Sequence, residues 1–188
     1  MKRRDFIIKS GLSSSIFSIV PSSVLGFKGV SPNNKIQIGF IGAGRQGRGL
    51  MKNFAEYNEC EIIAVSDVDS KKVDFFAEEF KNKILKDHKK KIYIKKFEFY
   101  RDMLQSSSID AVVIATPDHW HAQMSVDSAK HGKDIYCEKP LSNTISEGRA
   151  MVNSARKYKV VYQTGSMQRS WKHFRHAAEL IQNGYIGE

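Results

Sequence analysis

Two cysteines in 188 residues cannot build the disulfide framework that staples small secreted domains. No Cys, His and Asp spacing suggests a zinc site either, because His119 and His121 alone supply too few ligands, and no metal is expected. Long hydrophobic runs are also lacking. The apolar stretch near the start is short and broken by Ser13 to Ser15 and by Pro21, so it does not read as a membrane-spanning helix. Acidic residues are scarce, 20 against 30 Lys and Arg, for a formal charge of +10. That imbalance is local: residues 1–30 carry +4 and residues 81–96 carry +7, which leaves the rest at −1. The Lys run between 81 and 96 has no arginine and only Tyr93 and Phe97 as nearby aromatics, a poor match to a base-stacking surface. It reads as a solvated helix or loop between elements, and no nucleic-acid partner is expected. Beyond it there is no low-complexity segment and no internal repeat.

What is present is a globular balance, 41% hydrophobic and 27% charged, in a chain of a length that suits one domain and is too short for two. Residues 1–30 stand apart. Arg3 and Arg4 precede Phe6-Ile7-Ile8-Lys9, then a moderately apolar Ser-rich stretch, then small residues around Ser22, Ser23 and Gly26. That layout is a twin-arginine (Tat) export signal, which implies the Tat machinery as a partner and an exported, periplasmic location. The Tat route carries folded proteins, which suits a chain that takes up a cofactor before export.

From residue 35 to 188 strand and helix patterns alternate. KIQIGFIG, CEIIAVSD, IDAVVIATP, KDIYCEKP and VVYQTG read as buried strands, with a short strand at FEFY. Between them lie apolar helical faces: Leu50, Met51, Phe54; Val73, Phe76, Ala77, Phe80; Met151, Val152, Ala155; and Phe174, Ala177, Ala178, Ile181. Asp118 is placed to cap one helix that stops at Gly132, and Thr144 with Glu147 has capping-box spacing at another. The expected fold is α/β, a doubly wound parallel sheet with helices on both faces.

Gly42-Ala43-Gly44-Arg45-Gln46-Gly47 is G-x-G-x-x-G between a strand and a helix, and Asp67 lies 20 residues past Gly47 at the end of the next strand. Gly42 permits the tight turn, Gly44 lets the backbone approach a diphosphate, and Gly47 lets the helix pack closely. The diphosphate then sits on the helix N-terminus, where unpaired N–H groups favour an anion. Asp67 would accept from ribose hydroxyls and favours NAD, whereas Arg45 or Lys71 could hold the extra phosphate of NADP. In such a Rossmann sheet the ligand crevice lies outside the carboxyl ends of the strands. Two polar clusters fall there: Thr116-Pro117-Asp118-His119-Trp120-His121, and Glu138-Lys139-Pro140 within IYCEKPLS. Charge is costly to bury at a strand end, and a crevice gives Glu138 and Lys139 a reason to be there.

GAGRQG, SDVD, ATPDHWH, YCEKPLS and QTGSMQRS, in this order, resemble the N-terminal domain of the glucose-fructose oxidoreductase and inositol dehydrogenase (Gfo/Idh/MocA) family from about Lys35 to Glu188. The resemblance implies an NAD(P)-dependent oxidoreductase acting on a sugar, sugar derivative or polyol. It implies Lys139 as the catalytic group beside nicotinamide and substrate hydroxyl, Thr116, Pro117 and His121 at the nicotinamide end, and Glu138 near the nicotinamide ribose. Burial and a cationic ring would lower the lysine's pKa and make it a base near neutral pH.

Family members usually continue into an open-faced sheet domain that covers the substrate and builds a homo-oligomer. That C-terminal substrate domain is absent from this chain, so a complete active site is not expected in it. An exposed apolar patch is expected where the second domain would sit on a sheet face. Two alternatives stay open: an NAD-dependent glycosidase of a related branch, and a truncated, non-catalytic nucleotide-binding module. Strand order 3-2-1-4-5-6 would hold Cys60 and Cys137 three strands apart, roughly 14 Å, beyond disulfide reach. The same reading leaves the isomer of the Lys139–Pro140 bond for the structure to decide.

Overall fold

Six aliphatic stretches form one parallel sheet in a computed structural model, which describes residues 34–87, 93–185 and 187. The fold lies in the unit that begins at Ile36. The proposed export signal and residues 88–92 of the Lys run fall outside the described residues. The strands are β1 (Ile36–Ile41), β2 (Cys60–Ser66), β3 (Lys95–Phe97), β4 (Ala111–Ile114), β5 (Asp134–Glu138) and β6 (Tyr162–Gly165). The helices are α1 (Arg45–Phe54), α2 (Ser70–Asp87), α3 (Tyr100–Leu104), α4 (Asp118–Lys130), α5 (Ile145–Tyr158) and α6 (Lys172–Gln182), with a 3-10 turn at Met167–Ser170. Sheet order is β3-β2-β1-β4-β5-β6, the doubly wound arrangement expected from the alternation.

The helical faces explain the layers. Leu50 and Met51 of α1 and Val73, Phe76 and Phe80 of α2 bury one sheet face together with Ile38, Phe40, Ile62 and Val65. Phe40 meets Phe76 at 5.2 Å between ring centroids and Phe54 edge-on at 6.2 Å. On the opposite face Met103 and Leu104 of α3 and Met124 and Ala129 of α4 pack with Ile109, Val112, Ile114, Ile135 and Cys137. Both sheet faces thus carry a buried core, and an exposed apolar patch is present as well. It lies on α6, which buries none of its residues and whose main contact among the described residues is the 3-10 turn. Phe174 is 45% and Ile181 57% exposed, with Trp171 and Tyr185 exposed beside them.

Several local expectations shift slightly. The N-cap of α4 is Pro117 and not Asp118, which is the first helical residue and contributes its charge to the positive end of the dipole. The helix stops as expected, with His131 as C-cap and Gly132 at φ +68°. The Thr144/Glu147 capping box is formed on both sides. The Lys run splits between elements: α2 continues through Lys81, Lys83 and Lys86, while Lys95 and Lys96 lie on edge strand β3, where lysines discourage edge-to-edge pairing. The third strand is thus Lys95–Phe97, slightly earlier than FEFY suggests. Cys60 on β2 and Cys137 on β5 form no disulfide, as the strand order requires.

Candidate active site

The glycine loop has the geometry that its spacing predicts. Gly42 sits at φ +101°, donates its N–H to the Ser66 carbonyl at 2.8 Å, and has no room for a Cβ, which would meet the Ala115 carbonyl oxygen at 2.5 Å. A Cβ on Gly47 would lie 2.1 Å from the Gly42 carbonyl oxygen, so the glycine is what seats α1 against the turn. Gly44 differs: a Cβ there would have no heavy atom within 4 Å, and its φ is an ordinary −68°. Nothing among the described residues requires a glycine at 44, so the space above it is the feature that suits a ligand backbone approach. Helix α1 has no side-chain N-cap and no acid in its first turn, which leaves its N–H groups and dipole for an anion. These residues fit a dinucleotide diphosphate.

Asp67 follows β2 and ties the loop as well as facing outward. One carboxylate oxygen accepts from Ala43 N–H at 2.9 Å and the other from Asp69 N–H at 3.0 Å. It lines a hollow of about 280 Å³ with Ser70, Lys96 and Phe97 beside the loop. Arg45 is exposed at the first position of α1.

A larger cleft of about 800 Å³ opens at the carboxyl ends of the strands. It brings together Gln46 of α1, Thr116 after β4, Asp118 and His121 of α4, and Glu138 and Lys139 at the end of β5. Glu138 is only 4% exposed, and its carboxylate accepts from Gln46 Nε2 at 3.1 Å, a bridge across 92 residues of sequence. Its charge, after burial, helps push the Tyr136 phenol up. Lys139 is exposed in the cleft and makes no hydrogen bond or ion pair with the described residues. The Lys139–Pro140 peptide bond is cis.

His121 is buried, 1% exposed, with Nδ1 2.6 Å from the Pro140 carbonyl oxygen and Nε2 2.9 Å from that of Thr116. Burial alone would lower its pKa. The Cys137 thiol and the two carbonyls outweigh burial and carry the ring up to about 9. Both ring nitrogens thus meet backbone carbonyl oxygens at the cleft. Thr116 also donates its hydroxyl to Met124 Sδ at 3.4 Å, and Pro117 shapes the start of α4 from an exposed position.

His119 does not join them. Two residues apart on a helix point about 200° apart, and His119 faces a shallow groove of about 420 Å³ between α4 and α5 with Trp120, Gln123 and Glu147. Conversely, the far wall of the cleft is built from Gly165, Ser166 and Met167 to Arg169 after β6. Gly165 is required there, since a Cβ would lie 2.9 Å from the Glu138 Cα and from its Oε1. The strand-end logic applied to β4 and β5 extends to β6, and the glycine closing VVYQTG is the signal for it. Among the described residues no group of three His, Cys, Asp or Glu could hold a metal ion, and no helix is long and apolar enough to cross a membrane.

Residues 36–166 match the model of the GFO_IDH_MocA oxidoreductase family, described as an NAD-binding Rossmann fold. Among curated proteins the chain is 31% identical over 153 residues to the uncharacterized oxidoreductase YrbE of Bacillus subtilis, covering 81% of this chain and 42% of that protein. It is 34% identical over 138 residues to a glycosyl hydrolase family 109 protein of Shewanella woodyi, covering 71% of this chain and 28% of that one. Among solved structures, scyllo-inositol dehydrogenase from Lactobacillus casei with bound NAD(H) and scyllo-inositol superposes with a TM-score of 0.69 at 27% identity, covering 82% of this chain and 43% of that one. The chain spans less than half the length of these relatives.

Proposed function

We propose, from the premise that this chain belongs to the Gfo/Idh/MocA oxidoreductase family and carries its NAD-binding Rossmann domain, that it is the nucleotide-binding part of an enzyme moving hydride between a sugar, sugar derivative or polyol and NAD or NADP. The observation that carries this reading is the convergence of Lys139, Thr116, Glu138 and Gln46 in one cleft, with Gln46 on the same helix whose N-terminus suits a diphosphate. A nicotinamide bound there supplies the carbon that accepts hydride. The chain's own part is orientation and proton handling. Glu138, held by Gln46 and backed by Gly165, fixes the end of β5. Lys139, next in sequence, reaches the cleft with no partner among the described residues and takes the hydroxyl proton as the carbinol carbon gives up its hydride, leaving a carbonyl. Replacing Lys139 with Met in the full-length protein leaves NADH affinity within about twofold and lowers turnover by at least about 100-fold; full turnover in that variant would remove Lys139 from the mechanism.

Similarity to the glycosyl hydrolase family 109 protein favours a second reading, in which NAD takes a hydride from the glycoside and returns it, so that the cofactor is reduced and then reoxidised within one hydrolytic cycle. The two readings separate on one substrate panel. An oxidoreductase accumulates reduced nicotinamide with polyol or sugar, while a glycosidase releases a leaving group from a glycoside with no net change in the cofactor. Export by the twin-arginine route is part of the same proposal, supported by Arg3 and Arg4 before a moderately apolar stretch. Changing both to Lys retains the protein in the cytoplasm on fractionation, and unchanged export would reject that route. A homo-oligomer is proposed for the full-length protein.

A further inference from the structure

We propose that His121 is a positioning residue: a buried imidazolium that donates from both ring nitrogens, clasping the carbonyls of Thr116 and Pro140 and so setting where Lys139 stands in the cleft. The inference rests on the oxidoreductase reading for its catalytic consequence, but its physical core does not. A neutral imidazole has one N–H and one lone pair, so it can serve only one of two carbonyl acceptors, and its bare nitrogen would face the other carbonyl oxygen. At 2.6 and 2.9 Å both contacts are close enough to be hydrogen bonds, and the ring is 1% exposed, so water cannot take either place. The doubly protonated ring satisfies both carbonyls at once.

The chain uses this device a second time at the opposite end of the sheet. Lys133, just before β5, is buried and donates from Nζ to the carbonyls of Ser106 and Ile109, each at 2.7 Å. One buried cation thus secures the entry of β5 and another secures its exit. The difference is what each holds. Lys133 joins a loop to a strand start far from the cleft, whereas the carbonyls held by His121 belong to the two segments that leave β4 and β5 into it.

The groups around the ring agree with a cation. From β5 come the Cys137 thiol, which lies against the ring, then Glu138 and Lys139, which share the cleft with it. From α4 itself comes Asp118. Behind Cys137 on β6 is Tyr162, whose phenol is hydrogen-bonded to Ser125 at 2.9 Å and is pushed up by burial and by Cys137. Glu138 and Asp118 offset the charge, while Lys139 and Arg169, which line the same cleft, oppose it. Against burial, which lowers it, the Cys137 side chain and the Pro140 and Thr116 carbonyls raise the His121 pKa to about 9.

The test has two arms. Selective ¹⁵N-histidine labelling of the chain, read by NMR at pH 7.5, shows both His121 nitrogens protonated, with the ring losing a proton only well above pH 8. A single neutral tautomer at pH 7.5 would overturn the proposal whether or not any variant folds. In the full-length protein, His121→Gln keeps one amide donor group without charge and His121→Phe keeps only shape. The glutamine variant holds NADH within about twofold of the parent Kd while kcat falls by roughly 10- to 100-fold, and the phenylalanine variant falls further. An unchanged kcat in His121→Gln would overturn the positioning role. A protein that binds no dinucleotide would sink the proposed function and leave the NMR result standing.

Discussion

At the scale of single residues, the three loop glycines look alike in sequence and differ in what they do. Gly42 and Gly47 are needed by the fold, because a Cβ would strike backbone oxygen atoms. Gly44 faces open space among the described residues, the room that the proposed ligand backbone would use. Gly44→Ala therefore leaves the melting temperature near that of the parent and weakens NADH binding by about tenfold or more, since a methyl group occupies the diphosphate approach. Gly47→Ala loses stability and binding together. Calorimetry paired with NADH fluorescence separates the two cases. A second residue prediction concerns pH. His121 has its ordinary value of 6.5 unfolded and about 9 folded, so its contribution to stability is complete below about pH 6.5 and is lost as pH rises through about 9. The parent's unfolding free energy falls between about pH 7 and 9.5 more than that of His121→Phe; parallel curves would contradict the buried charge.

At the scale of elements, the sheet was largely legible because its signals are local. Continuous apolar runs ending in Asp67, Thr116-Pro117 and Glu138-Lys139 mark strands whose ends meet at a crevice, and helical faces such as Val73, Phe76, Phe80 point to one core. Removing a ring from that core, as in Phe76→Ala, costs about 3–5 kcal/mol, measurable by denaturant unfolding. What the sequence hid depends on tertiary placement. The separation of His119 from His121 needs the helix start, which Pro117 sets one residue before Asp118. The two carbonyls around His121 come from segments 19 and 5 residues away, and no spacing rule announces them. The Gln46–Glu138 bridge joins residues 92 apart. Helix α6 shows the reverse: its apolar face is plain in sequence, yet nothing in the described chain covers it. Exposed Phe174 and Ile181 promote self-association of the 188-residue chain, and the double change to Ser lowers the apparent mass in light scattering. A parent chain already monodisperse as a monomer would contradict this.

At the scale of the molecule, one sheet edge organises everything assigned here. The β1–α1 turn offers an uncapped helix N-terminus, β2 ends in Asp67, and β4, β5 and β6 end around a cleft of about 800 Å³. The cofactor half of the proposed hydride-transfer site lies along this edge, where Lys139 stands exposed. The excess of basic charge is confined in sequence to residues 1–30 and 81–96. The central claim is that this edge binds a nicotinamide dinucleotide through the open approach at Gly44. Titration of NADH into the purified chain, followed by nicotinamide fluorescence with Gly44→Ala in parallel, tests it directly. Saturable binding by the parent, weakened about tenfold or more in the variant at unchanged melting temperature, is the expected result. Absence of saturable binding by the folded parent, or equal affinity in the two proteins, would contradict it.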